Sequence, residues 1–275
     1  MDEVIAIKNR YGSASIAMQG AQLLSWAPEG EKPVIWLSKE AKFVKGKSFR
    51  GGIPICWPWF GPHPSDPALP AHGFARNLDW QLKDRRETEA GTLVVLALAP
   101  NESSWPHQAE LEYRIKVGKQ LELELVTRNK GSDSFVLGCA LHTYFHVSDV
   151  RNVKVLGLEE TQYVDKVKGG EKIQEGALTI DSEVDRIYLD TDSSCVIQDP
   201  GMNRSIRIAK SGSRSTVVWN PWAEKSEKLG DMGADGYLGM LCVETCNAHD
   251  DVVTVPATGE HCLRAVYSLC DLSIL

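Results

Sequence analysis

The sequence AELEYRIKVGKQLELELV, residues 109–126, decides the fold class of this chain. Apolar residues alternate with charged ones over its first nine positions, and after Gly118-Lys119-Gln120 leucine recurs at every second position. Successive side chains of a strand point to opposite faces of a sheet, so both halves have one apolar and one charged face. The pattern predicts a β-hairpin that packs one face on a core and exposes the other to water.

The rest of the chain continues this design. The stretch SSCVIQDPGMNRSIRIAK, residues 193–210, predicts a second hairpin that turns at Asp199-Pro200-Gly201. Further short strands are predicted at residues 3–8, 92–98, 153–158, 215–219 and 263–268, and one brief helix at 224–229. Many short strands separated by turn residues are typical of an all-β sandwich or barrel. We predict a single domain over residues 1–275, with long loops at 61–71 and 223–237 where binding residues are often found.

Composition and charge exclude several classes of function. The chain of 275 residues is 43% hydrophobic and 24% charged, which is ordinary for a globular protein. Its net charge of −7 argues against broad nucleic-acid binding. The longest apolar run, near residues 93–99, is far shorter than the roughly 20 residues that cross a bilayer. The first ten residues, MDEVIAIKNR, do not resemble a secretory leader, so we expect a cytoplasmic protein with reduced thiols.

The seven cysteines are scattered, mostly among apolar neighbours. Cys242 and Cys246 are spaced so that both side chains could reach one metal ion, but no CxxC pair completes a zinc site. We therefore interpret the cysteines as buried core thiols and predict no metal.

An arginine stands at the start of an aromatic segment, FRGGIPICWPWFG, residues 49–61. Gly51 and Gly52 would allow the backbone to approach a ligand closely, and the two prolines of the segment stiffen its aromatic part. The planar donors of Arg50 match a phosphate or a carboxylate. The alternative is an ordinary surface arginine beside a packed turn.

A second arginine lies in the segment AHGFAR, residues 71–76, at the end of the proline-rich loop. Arg76 and Arg50 flank the same loop, so the two side chains could form an anion clamp, and His72 would complete it. The alternative for His72 is a structural histidine whose hydrogen bonds are satisfied inside the protein. His63, which stands in the loop itself, is interpreted as structural.

Two further segments supply groups that can move protons. If GCALHTYFH, residues 138–146, is one strand, His142, Tyr144 and His146 share a face, and a histidine of ordinary pKa donates and accepts protons near neutrality. Glu244 interrupts the apolar run of LCVETCN, residues 241–247. It is either a base with a raised pKa, or a carboxylate that faces water or pairs with an arginine.

A last group of residues fits the recognition of a sugar. Asp185, in the segment DRIY, could accept hydrogen bonds from sugar hydroxyls, although the segment considered alone fits a solvated loop better. The two tryptophans of WNPW, residues 219–222, would form an aromatic wall for a sugar face or part of the core.

Taken in order, FRGGIPICWPWFG, HGFAR, LHTYF, VDRIY, VVWNPW and CVET resemble the aldose 1-epimerase family, and within it the hexose-6-phosphate mutarotase branch. The resemblance implies a large antiparallel β-sandwich with a sugar cleft on one sheet. It also implies interconversion of α and β anomers with no metal or organic cofactor. His142 would be the general acid and Glu244 the general base, and Arg50, Arg76 and Asp185 would bind the substrate. His72, beside Arg76 in the chain, is a further candidate for substrate binding. Ala71 stands where some relatives have a substrate-contacting glutamine.

The resemblance leaves other functions open. One alternative is a mutarotase for unphosphorylated aldoses such as galactose, and another is a non-catalytic protein that binds sugar phosphates on the same fold. A purely structural sandwich fits least well, because it would not need these polar residues beside glycines and rings. The expected partner is a small sugar phosphate, neither nucleic acid nor membrane, and the expected state is a monomer.

Overall fold

The structure is a computed structural model that describes residues 3–100, 102 and 105–272. Short antiparallel strands are its main regular structure. The first eleven are β1 Val4–Asn9, β2 Gly12–Ala17, β3 Leu23–Pro28, β4 Ile55–Cys56, β5 Gln81–Thr88, β6 Gly91–Leu98, β7 Ala109–Val117, β8 Leu121–Asn129, β9 Phe135–Leu137, β10 Cys139–Leu141 and β11 Tyr144–His146. The others are β12 Lys154–Leu156, β13 Gln162–Asp165, β14 Glu171–Ile173, β15 Leu178–Thr179, β16 Val184–Tyr188, β17 Cys195–Asp199, β18 Arg204–Ser211, β19 Ser215–Asn220, β20 Met240–Asn247, β21 Val253–Val255 and β22 Glu260–Cys270.

Two large sheets dominate the architecture. One has nine strands in the order β15-β12-β17-β18-β22-β8-β7-β6-β5. The other has eight, in the order β14-β13-β16-β19-β20-β10-β4, with β11 also paired to β20. A three-stranded sheet of β1 to β3 and a small β9–β21 pair complete the fold. One continuous apolar cluster takes side chains from both large sheets, so the prediction of a large antiparallel β-sandwich is confirmed.

The predicted hairpin forms the middle of the nine-stranded sheet. Strands β7 and β8 pair in register from Ala109 opposite Asn129 to Val117 opposite Leu121. The apolar set of each strand is buried in the core, while the charged set forms cross-strand ion pairs such as Lys116 with Glu122 at 2.7 Å. The alternation therefore fixes which face is buried.

Helices are few and short in the described part of the chain. The single α-helix, α1, spans Trp222–Leu229, two residues longer at its start than predicted, and it fills part of the segment 223–237 that was expected to be a loop. Five one-turn 3₁₀ helices lie at Ala75–Asn77, Val150–Asn152, Pro200–Met202, Gly236–Gly239 and His249–Asp251. None of the helices in the residues described is long and apolar enough to span a membrane.

Strand β20 positions the site because it is buried on both faces. Leu241 and Val243 belong to the core between the two large sheets. Cys242 and Cys246 point to the other face and pack in smaller apolar clusters there, and Glu244 lies between them. A strand covered on both faces has an almost continuous apolar sequence, which explains why a lone carboxylate stands among small apolar residues.

The stretch 138–146 is not one strand, contrary to the condition on which a shared face was predicted. It breaks at Thr143, whose hydroxyl bonds the Leu141 carbonyl and the Tyr267 hydroxyl. His142 and Tyr144 still line one cavity, but His146 lines a second cavity elsewhere and bonds the carbonyl of Pro33. The prediction of a common face is therefore wrong for His146.

The single-domain prediction over residues 1–275 stays a prediction, since it includes terminal residues outside those described.

Candidate active site

One cavity of about 330 Å³ opens on the eight-stranded sheet. All six residues singled out in the sequence line it: Arg50, His72, Arg76, His142, Asp185 and Glu244. They come from segments as far apart as 194 positions in the chain, and the sheet brings them together because β20 pairs with β10, β11 and β19 side by side. The volume suits a small ligand such as a monosaccharide.

Glu244 lies at the centre of this sheet, opposite Val217 of β19. Its side chain is only 1% exposed, so it neither faces water nor lies at a strand edge. Burial raises the pKa of this carboxyl well above its usual value, and the nearby charge of Asp185 raises it further. Both effects disfavour the ionised form of Glu244.

His142 follows β10 directly and faces Glu244. Its backbone N–H donates to the Pro54 carbonyl, and its ring stacks on Tyr144 with a centroid distance of 4.9 Å. The imidazole Nε2 lies 3.4 Å from Glu244 Oε1. Burial, and then the neighbouring His72, lower the pKa of His142 well below its usual value. Both contacts hold the ring in a fixed orientation beside the carboxyl.

The two side chains are close enough to exchange a proton. A protonated Glu244 beside a neutral His142 carries the same proton count as a carboxylate beside an imidazolium, so one transfer between the two side chains interconverts these states. Among the described residues, neither His142 Nδ1 nor Glu244 Oε2 has a hydrogen-bond partner, although both atoms are buried. Buried polar atoms are normally paired, so these two are available to a ligand in the cavity.

Arg50 is held on two sides. Its Nε donates to Asp231 Oδ1 at 2.9 Å, and its Nη1 donates to the Tyr144 hydroxyl at 3.1 Å. These bonds leave Nη2 and the second hydrogen of Nη1 for a ligand. Asp231 and Tyr144 therefore orient a cation whose free donors remain available.

Gly51 and Gly52 have a different role from the predicted close approach of the backbone to a ligand. A Cβ on Gly51 would lie 2.7 Å from Leu37 Cα, and one on Gly52 would lie 2.4 Å from the Leu23 carbonyl oxygen. Their small size admits neighbouring segments of backbone rather than a ligand.

His72 and Arg76 approach the cavity from the proline-rich loop. His72 Nδ1 accepts a hydrogen bond from the Gly61 backbone N–H at 3.2 Å, so the proton of the neutral ring is on Nε2. Burial, and then Arg76, lower the pKa of His72 to about 3, so the ring stays neutral. His72 can therefore offer one N–H donor.

Arg76 is the less engaged of the two arginines. Its Nη2 donates to the Ala71 carbonyl at 2.7 Å, and its buried Nε has no partner in the described part of the chain. The described residues give it no ion pair, whereas Arg50 pairs with Asp231. Ala71 holds Arg76 through its backbone, a contact that does not depend on the side chain at that position.

The loop is fixed in place by Gly73. This residue has φ +69°, and a Cβ there would lie 1.9 Å from the Trp57 carbonyl oxygen. We expect Gly73→Ala to destabilise the fold by clearly more than the about 1–2 kcal/mol that a left-handed non-glycine residue costs. The matched control is Gly30→Ala, with φ +77° but nothing within 4 Å of the added Cβ. Thermal unfolding of both variants measures the difference, and equal losses would contradict the steric argument.

Asp185 lies in β16, not in a solvated loop, and is partly buried in the cavity wall. Burial raises the pKa of its carboxyl despite Lys166, whose Nζ is 3.6 Å away. Lys225 of α1 also lines the cavity and pairs with Glu183 at 2.6 Å.

The sequence did not indicate the two lysines. Lys166 stands in a turn and Lys225 on the exposed side of a short helix, where lysines are ordinary, so no local pattern marks them. Trp219 lines the same cavity, as the aromatic-wall alternative anticipated, but Trp222 packs on Tyr237 and against the core.

Comparisons with known proteins agree on one family. Residues 3–267 match the model of the aldose 1-epimerase family. A Salmonella typhimurium protein named "Putative glucose-6-phosphate 1-epimerase" is 41% identical over 275 residues, covering 98% of this chain and 90% of that protein. A solved structure from Salmonella typhimurium, named a "putative mutarotase", has a TM-score of 0.90 at 40% identity, with 98% of this chain and 90% of that chain covered.

A more distant structure is that of a galactose mutarotase-like protein from Lactobacillus casei, with a TM-score of 0.77 at 17% identity. The superposition covers 98% of this chain and 100% of that chain, and it shows a shared fold. The family model and the 41% identical relative each cover nearly the whole chain. The chain therefore belongs to the aldose 1-epimerase family, and the prediction that it is an isomerase of that family is confirmed.

Proposed function

We propose that this protein interconverts the α and β anomers of hexose 6-phosphates, glucose 6-phosphate foremost, by acid–base opening and closing of the sugar ring. The observation that carries the proposal is the shared cavity. It holds the His142–Glu244 pair at 3.4 Å together with four cationic side chains: Arg50, Arg76, Lys166 and Lys225. The names of the relatives that are about 40% identical support the same substrate.

The proposed chemistry needs one base and one acid. Glu244, as the carboxylate, takes the proton from the C1 hydroxyl, and His142, as the imidazolium, gives a proton to the ring oxygen. The C1–O5 bond breaks and leaves a free aldehyde. Rotation about C1–C2 presents the other face of the carbonyl, and the roles reverse on closure. A positioned acid or base contributes roughly 10²- to 10⁴-fold, and mutarotation already proceeds unaided in water, so the pair suffices.

In the free site, transfer of one proton from Glu244 to His142 would give this reactive form. Burial lowers the pKa of His142 and raises that of Glu244, so it favours the neutral form of each. A sugar that bonds the unpartnered Glu244 Oε2 and His142 Nδ1 supplies polar contacts that the empty site lacks. These contacts stabilise the carboxylate–imidazolium form of the pair, since hydrogen bonds to a charged group favour that charge.

The rest of the cavity suits a sugar that carries a dianion. Of the four cations, Lys225 pairs with Glu183, Arg50 with Asp231 and Lys166 with Asp185, while Arg76 has no ion pair among the residues described. With Glu244 protonated, Asp185 is the remaining carboxyl on the wall of the cavity. Positive charge therefore exceeds negative charge around the ligand, which favours a phosphate. Asp185 and the His72 Nε2–H are placed to bond sugar hydroxyls.

Arg50→Ala tests the phosphate contact. We expect the KM for glucose 6-phosphate to rise by about 10- to 100-fold, the equivalent of one charge-assisted hydrogen-bonded contact, with little change for free glucose. Anomer exchange measured by two-dimensional exchange NMR on both sugars gives the comparison. Arg207→Ala is the control, because that arginine is exposed in β18 and bonds only Ser194 among the described side chains. Equal effects of Arg50→Ala on both sugars would count against the phosphate contact.

The same measurement separates the alternatives. Faster exchange of galactose than of glucose 6-phosphate would point to a mutarotase for unphosphorylated aldoses. Saturable binding of glucose 6-phosphate with no acceleration over buffer would point to a sugar-phosphate-binding protein.

A further inference from the structure

A third potential metal ligand lies beside the acid–base pair. Cys242 precedes Glu244 by two positions in β20, so both side chains point to the same face of the sheet. One ligand atom from each of Cys242, Glu244 and His142 lies within 4.8 Å of the other two. The sequence suggested Cys246 as the partner of Cys242, whereas the structure brings Cys242 to a histidine and a carboxyl. Thiolate, imidazole and carboxylate are the ligand types that bind Zn²⁺ in proteins.

The cluster has a free acceptor that is buried. Glu244 is 1% exposed, and within the described residues its Oε2 has no hydrogen-bond partner; His142 Nδ1 is likewise unpartnered. A buried carboxyl oxygen without a donor is rare in a folded protein. It is an independent sign that this spot accepts a ligand, and a cation bound by both oxygens of the Glu244 carboxylate satisfies it as directly as a sugar hydroxyl does.

The distances are close to those of a coordinated metal. Zn²⁺ bonds of about 2.0–2.3 Å in tetrahedral geometry place the ligand atoms roughly 3.3–3.7 Å apart. His142 Nε2 and Glu244 Oε1 are already 3.4 Å apart. One ligand atom from each of the three side chains lies within 4.8 Å of the others, so the cluster needs to close by roughly 1 Å to reach these distances.

We propose that Cys242, His142 and Glu244 form an inhibitory site for a thiophilic divalent cation, with Zn²⁺ as the best fit. Binding releases the Cys242 thiol proton and the Glu244 carboxyl proton to solvent, while neutral His142 donates a ring-nitrogen lone pair; nothing is oxidised or reduced. The two negative ligands balance the charge of the ion inside the buried site. A water molecule completes the four ligands that Zn²⁺ usually takes.

The inhibition rests on the proposed function, because it follows from occupying the proposed acid and base. While both bind the metal, neither can exchange protons with a sugar. A bound sugar phosphate and the metal therefore exclude one another. Metal binding itself needs only the three side chains and is measured separately.

The first experiment measures inhibition of glucose 6-phosphate anomer exchange by Zn²⁺ on the full chain freed of metal by a chelator. We expect inhibition that a chelator reverses and that saturating glucose 6-phosphate weakens. Cys242→Ala should keep the basal rate and need at least about tenfold more Zn²⁺ for half inhibition, since one ligand is lost. Cys246→Ala, the next cysteine on the same face of the same strand, should behave as the wild type. Equal effects of the two substitutions, or no inhibition of an active wild type, would overturn the proposal.

The second experiment does not depend on activity. Co²⁺ is titrated into the wild type and both variants, and equilibrium dialysis counts the bound ions. We expect one ion per chain and a thiolate-to-cobalt charge-transfer absorption in the wild type and in Cys246→Ala, and neither in Cys242→Ala. If that pattern holds in a protein that does not accelerate anomer exchange, the metal site stands and the proposed function fails. Absence of the absorption in the wild type would overturn the site.

Discussion

Glu244→Gln is expected to abolish the acceleration of glucose 6-phosphate anomer exchange, with a loss of roughly 10²- to 10⁴-fold relative to the wild type. Glutamine has nearly the shape of glutamate, so the cavity keeps its form, but the amide neither accepts nor returns the proton of the C1 hydroxyl. Two-dimensional exchange NMR, with the spontaneous rate in buffer subtracted, measures the loss directly.

The variant should fold at least as well as the wild type. Glu244 is a buried carboxyl with an unpartnered oxygen, so the loss of its ability to ionise should remove no stabilising interaction from the folded state. An unchanged or raised thermal midpoint beside lost activity is the expected combination. Glu110→Gln, at an exposed glutamate of β7 in the other sheet, is the control and should change neither property. A Glu244→Gln variant that retains full activity would remove this residue from the mechanism.

His142→Ala is expected to lose a similar part of the acceleration. The ring supplies the proton for O5 and stacks on Tyr144, so the variant loses the acid and leaves a space in the cavity wall. Because one proton cycle needs both members of the pair, the double variant with Glu244→Gln should be little worse than either single variant. The same NMR exchange experiment compares all three.

His146→Ala is the matched control for this substitution. It removes an imidazole four positions along the chain, but from the second cavity, where the ring bonds only the Pro33 carbonyl among the described residues. It should leave anomer exchange near the wild-type rate. If His142→Ala and His146→Ala behaved alike, the assignment of the acid to His142 would be wrong.

Local sequence patterns were sufficient for much of the fold. The alternation in residues 109–126 predicts both the hairpin and its buried face, because the side-chain period of a strand leaves no other way to bury the leucines. The break at Thr143 was not predicted; the hydroxyl of this residue bonds Tyr267, which is 124 positions away in sequence and outside any local pattern. Segment order in the sheets depends on such distant contacts throughout.

The site could be predicted only through the resemblance of its segments to a family. Four of the six residues, Arg50, His72, Asp185 and Glu244, had an ordinary structural explanation when considered alone. The structure places all six on one cavity. Asp231, which orients Arg50, was not predicted, because its role depends on a partner 181 positions away and on no pattern of its own. Lys166 and Lys225 were missed for the same reason.

Because β20 is buried on both faces, an error in its register would affect the core and the site together. A shift of the strand by a single position against its neighbours would turn Glu244 toward the interior between the two sheets and present Val243 to the sugar. Such a molecule would lose both its core packing and its acid–base pair. A chain in which β20 pairs in the wrong register would therefore also be inactive. Correct folding of this strand and catalytic activity depend on the same register.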